Sequence, residues 1–140
     1  MNEFLQHIPI ADAHHHLWDL GHGDYPWLSS RPNQDFFLGD YSSLRHNYLA
    51  ADYRRDVGEL NVCWTVHVEA EWDRSAQVAE TQWVTEVARR HGMPGAIVAH
   101  AWFDAPNAEA ILEAQAQFPL VRGIRSKPAR PGQDPNDTDE

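Results

Sequence analysis

Residues 12–16 read Asp12-Ala13-His14-His15-His16 and stand at the end of a short apolar run, residues 8–13. Such a run reads as a strand. Successive side chains on a strand point to opposite faces, so His14 and His16 share one side and His15 takes the other. Two imidazoles one residue apart can close on a single divalent ion, because neutral imidazole is the commonest protein ligand for metals. Two ligands do not complete a site, since catalytic zinc takes three protein ligands plus water. A hydrogen-bonded surface pair, or a fragment of a purification tag, is the competing reading. The way the triplet runs on into Leu17-Trp18 argues against a tag.

The other polar residues within apolar runs stand near the C-terminal ends of those runs. His67 and Glu69 occupy residues 62–70, His100 occupies residues 95–103 and Arg125 closes residues 120–125. His67 and Glu69 fall on one face by the period of two. A carboxylate there could orient a ligand histidine or touch substrate, or form a buried ion pair with an arginine. His100 could ligate a metal, bond substrate or sit satisfied in the core. Arg122 and Arg125 fall on opposite faces. Arg125 lies nearer the strand end, where a guanidinium can grip a carboxylate bidentately. Trp18, next to the histidines, is a candidate pocket wall, and Lys127, the sole lysine, reads as a solvated side chain.

These positions require strands alternating with helices. Residues 49–60 and 75–91 carry apolar residues at spacings of three and four, and so does the stretch that follows Asp104. In residues 75–91 the expected stripe is Ala76, Ala79, Trp83 and Val87, and Gly92 and Pro94 end the helix. Asp104 is the expected cap of the third helix. Strand–helix alternation at this spacing predicts parallel βα units in an α/β fold. Four strands make either a small open sheet or the front half of a (β/α)₈ barrel, which needs roughly 250 residues in full. Residues 17–47 form a long aromatic-rich loop, in which Phe36 and Phe37 are expected to pin the loop to the body. Residues 1–125 form the folded unit, and residues 126–140, rich in proline and acids, are expected to be disordered.

The chain has 140 residues and a formal net charge of -10, which excludes the basic face that nucleic acids require. No run nears the ~18 apolar residues of a membrane span, and no signal peptide is visible. Cys63, the only cysteine, is expected as a small buried hydrophobe. It fits a reducing, cytoplasmic setting. It lacks an activating base, and there is no Gly-x-Ser-x-Gly elbow or phosphate loop.

The block from Asp12 to Asp19 and the following Asp24-Tyr25-Pro26-Trp27-Leu28 resemble the amidohydrolase-related proteins of the amidohydrolase superfamily. Within them they look most like the sugar-lactonase and pyrone-dicarboxylate lactonase branch. Val66-His67-Val68-Glu69-Ala70 and Val121-Arg122-Gly123-Ile124-Arg125 resemble that branch's second and fourth strands.

The resemblance implies a TIM-like barrel, His14 and His16 as metal ligands, and a divalent metal such as zinc. The implied chemistry is attack of water on a lactone; from their places at the strand ends and beside the histidines, Glu69, His67, His100, Arg125 and Trp18 are the expected substrate contacts. The family's acid–base aspartate comes from a later strand, so the chain is expected to be an N-terminal half with little turnover by itself. Decarboxylation of aromatic acids is the alternative reaction, and a non-catalytic or vestigial half-barrel is the alternative role. A small molecule is the expected partner, and unpaired sheet edges favour self-association.

Overall fold

Strand and helix alternate along the chain, and every strand pairing is parallel. The computed structural model describes residues 7–29 and 39–127. The elements are β1 (Ile10–His15), a 3₁₀ turn (Ser42–Leu44), α1 (Ala50–Val57) and β2 (Val62–Val68), then α2 (Gln77–His91), β3 (Ala96–His100), α3 (Ala108–Ala116) and β4 (Val121–Arg125). The sheet order is β1-β2-β3-β4. This is the α/β arrangement of the first four strands of a (β/α)₈ barrel. No helix among the described residues is long and apolar enough to cross a membrane. Phe36 and Phe37, and residues 128–140 of the expected tail, lie outside the described residues.

Register separates the two faces of the sheet. Asp12 pairs with Thr65 and His15 with His67. These residues face the helices, since Tyr53 of α1 bonds Asp12 and packs at a tilt against His15. On the same face Val84 of α2 packs with Ile97 and Ala99 of β3. The opposite face carries Ala11 beside Trp64 and Val98 beside Gly123. No helix covers it among the described residues, and Trp64 is accordingly 52 % exposed.

Several expectations shift. Cys63 is exposed, not buried, and its thiol meets the Ile10 carbonyl at the open start of β2. The third helix begins at Ala108, not near Asp104, because turns through Ala105 come first. Helix α2 ends as its sequence requires, with Gly92 left-handed at φ 70. Its inward face is a different one. Gln77, Glu80, Thr81 and Val84 are the buried residues, while Ala76, Ala79, Trp83 and Val87 are half-buried along the flank. Lys127 is not free in solvent but pairs with Glu71.

The long loop after β1 is held by an aromatic cluster of Trp18, Tyr25, Leu28, Tyr41 and Trp72, with Trp27 and Tyr48 against it. Trp18 and Tyr48 also exchange two backbone bonds of 3.0 Å each. Gly23 fits closely here, since a Cβ on it would come within 2.4 Å of the Trp72 ring. Trp72 is buried and packs edge-on against Tyr25. Gly23→Ala should therefore cost about 1–3 kcal/mol through overpacking. Gly95→Ala meets the Trp64 ring at a similar 2.5 Å, but that ring is half in solvent and can swing aside. Thermal melts of the two variants should rank Gly23→Ala as much the more damaging, and equal losses would refute the comparison.

Candidate metal centre at the strand ends

The end of β1 is bulged. Between the pairs Asp12–Thr65 and His15–His67, β1 spends three steps where β2 spends two. Bulges at strand ends re-aim side chains. Here the Asp12 carboxylate accepts the His14 N–H at 3.1 Å and braces the bulge. The rings of His14 and His16 come together with centroids 4.9 Å apart and their Nε2 atoms at 3.2 Å. His15 turns to the other side, buried between Tyr53 and His67.

The His16 ring is held from behind, where Nδ1 meets the Val68 carbonyl at 2.8 Å. A carbonyl only accepts, so Nδ1 carries the proton and Nε2 presents its lone pair. Burial pushes the His16 imidazole down to about 4, and the nearby histidines and Arg125 push the same way. The ring is thus neutral at pH 7, as a ligand must be. Two nitrogens bound to one tetrahedral zinc at ~2.0–2.1 Å stand roughly 3.3 Å apart, close to the 3.2 Å found here. The pair therefore fits one corner of a metal site. Among the described residues no group of three or more His, Cys, Asp or Glu comes together to hold a metal.

The remaining candidates separate into two buried groups and a loop anchor. Glu69 follows β2 and is 1 % exposed. Its carboxylate accepts from Arg125 Nε, its carbonyl accepts from Arg125 Nη2 at 2.7 Å, and His100 Nδ1 lies 3.4 Å from its other oxygen. Arg125 therefore grips an internal carboxylate, the buried ion pair that is the competing reading for Glu69. Its side chain keeps 28 % exposure. His100 is buried against Trp102, and burial lowers its pKa. His67 is fully buried, bonded to the Leu17 amide at 3.2 Å and to Glu80 at 3.3 Å. Trp18 belongs to the loop core and donates to the His46 carbonyl. Of the five expected substrate contacts, Trp18, His67, Glu69 and His100 are thus closed off, and only Arg125 reaches solvent.

Glu80 escaped the sequence reading. It is an acid inside a helix, and its partners lie on β2 and just after it. One signal was present: Gln77, Glu80, Thr81 and Val84 follow helical spacing as regularly as the apolar stripe beside them.

The chain matches the amidohydrolase family profile Amidohydro_2 over residues 11–140. It is 37 % identical over 121 residues to y4mH, an uncharacterised protein of Sinorhizobium fredii, a match spanning 86 % of this chain and 40 % of that protein. In fold it is similar to a crystal structure of an amidohydrolase from Burkholderia multivorans with bound zinc, with a TM-score of 0.53 at 22 % identity. That likeness covers 81 % of this chain and 35 % of the other. The chain thus spans less than half the length of either.

Proposed function

The chain belongs to the amidohydrolase family, and from that premise we propose that it supplies the metal-binding corner of a metal-dependent hydrolase that opens lactones. The observation that carries the reading is the meeting of His14 and His16 through Nε2, with the His16 tautomer set by the Val68 carbonyl. The bound zinc of the Burkholderia relative supports the choice of metal. A divalent ion bound there would supply Lewis-acid polarisation and water activation. The chain's own part is to hold two imidazole nitrogens at a fixed spacing. Arg125, oriented by Glu69, turns a cationic edge outward that suits an acidic or hydroxylated substrate. The choice of a lactone rests on the resemblance of the motif blocks of β1, β2 and β4 to the lactonase branch.

Zinc titration tests the corner. The chain should bind one zinc, and His16→Ala should weaken that binding by about 100-fold or more, because even outer partners of metal ligands cost 10–100-fold. Equal binding by the variant would remove the basis of the proposal. Sugar lactones and pyrone dicarboxylates added to the zinc-loaded chain should be opened far below ordinary enzyme rates of about 1–10³ s⁻¹, since these residues supply only two ligands. Ordinary rates would refute the view that further groups are needed, and carbon dioxide release in place of ring opening would favour the decarboxylase reaction.

A further inference from the structure

Glu80 is 2 % exposed and projects from α2 onto the end of β2. Its Oε1 accepts the Ala70 N–H at 2.6 Å and lies 3.3 Å from His67 Nε2. These two contacts grip the chain on either side of Val68. The other nitrogen of His67, Nδ1, lies 3.2 Å from the Leu17 amide. An amide N–H only donates, so Nδ1 must be the unprotonated nitrogen. The ring proton of His67 is then on Nε2, directed at Glu80. A single tautomer satisfies every partner.

The ties converge on one residue of the metal corner. Leu17, held by His67, directly follows His16. Val68, between the two points gripped by Glu80, offers the carbonyl that fixes the His16 ring. One path therefore restrains the His16 backbone and the other restrains its imidazole, and both start at the same carboxyl oxygen.

We propose that Glu80 is a positioning residue for the metal corner, setting the tautomer and ring angle with which His16 meets a divalent cation. The inference rests on the reading of His14 and His16 as ligands. Outer hydrogen bonds of this kind orient ligand histidines and tune affinity. Burial, helped by nearby Glu69, pushes the Glu80 carboxyl up to about 8. At neutral pH it is a neutral acid, which a glutamine amide can imitate.

The test uses the whole chain as wild type, Glu80→Gln and Glu80→Leu. Zinc affinity is measured by competition with a chromophoric chelator, cobalt(II) is read by its visible spectrum, and folding is followed by circular dichroism. Glu80→Gln should bind zinc within about threefold of wild type. Folded Glu80→Leu should bind about 10–100-fold more weakly and give an altered cobalt spectrum. A purely structural Glu80 would lower the melting temperature of Glu80→Leu while leaving zinc affinity and spectrum untouched, and that result overturns the proposal. So does equal weakening in both variants. If Glu80→Leu does not fold, nitrogen NMR of the wild-type histidine rings decides. The expected protons are on Nε2 of His67 and Nδ1 of His16, and the opposite tautomer of either overturns the proposal. A wild-type chain that takes no zinc overturns the ligand reading itself and this inference with it, whereas zinc bound equally by wild type and Glu80→Leu overturns this inference alone.

Discussion

Replacing Arg125 with alanine should destabilise the protein by about 3–5 kcal/mol, the cost of leaving a buried charge without its partner. Glu69 lies almost wholly out of water, and Arg125 reaches it from β4 through both the carboxylate and the backbone carbonyl. Without the guanidinium, the carboxylate retains His100 at 3.4 Å and the Glu71 amide at 2.8 Å. Neither neutralises it unless the histidine takes up a proton, which burial opposes. Arg125→Lys should recover only part of the loss, since an ammonium cannot reproduce the planar two-point grip. Urea unfolding would measure both. A midpoint for Arg125→Ala within error of wild type would mean that the pair contributes nothing.

Stability should peak near pH 7 and fall on both sides. His67 is pushed down to about 3, and His15 and His16 to about 4, each chiefly by burial. Below pH 6.5 the unfolded chain takes up protons at these rings that the folded chain refuses, so stability drains as pH falls from 6.5 towards 4. Glu80 runs the other way. Its carboxyl is raised to about 8, so its contribution is complete below its ordinary value near 4.5 and is lost as pH climbs to 8. Three histidines outweigh one acid on the acidic side, and a loss on the order of 5 kcal/mol by pH 4 follows. Between pH 6.5 and 8 Glu80 gives up about 2 kcal/mol while the three rings regain about 1 kcal/mol as the unfolded histidines lose their last protons, so a net fall of under about 1 kcal/mol should appear. Urea midpoints at pH 4, 6.5 and 8 check the shape. Glu80→Gln should flatten the alkaline side, and an alkaline fall that persists in this variant would contradict the assignment.

The alternation of strands and helices was legible because period-two and period-3.6 patterns are local. So was the end of α2 at Gly92, where the left-handed conformation favours glycine. The pairing of His14 with His16 could be anticipated from alternation, although the bulge that brings their nitrogens together could not. The errors share one cause. Periodicity counts apolar residues as interior, so Ala76, Ala79, Trp83 and Val87 stood as the inward stripe of α2 in place of Gln77, Glu80 and Thr81, and Cys63 read as buried. Whether a polar side chain can be buried depends on its partners. Those of Glu80 lie on another element, and the partner of Glu69 is 56 residues away. The anchoring of Trp18 was hidden for the same reason, since its acceptor, the His46 carbonyl, is 28 residues along the loop.

The strands lie side by side in the order in which they are synthesised. Among the described residues each new strand finds its dock already built by the one before. Assembly can therefore proceed like a zip, keeping pace with the ribosome. The clasp between Arg125 and Glu69 is then a late event, made after the sheet it fastens has formed. Truncations ending after β3 should accordingly retain β1–β3 pairing while leaving the Glu69 carboxylate without its cation.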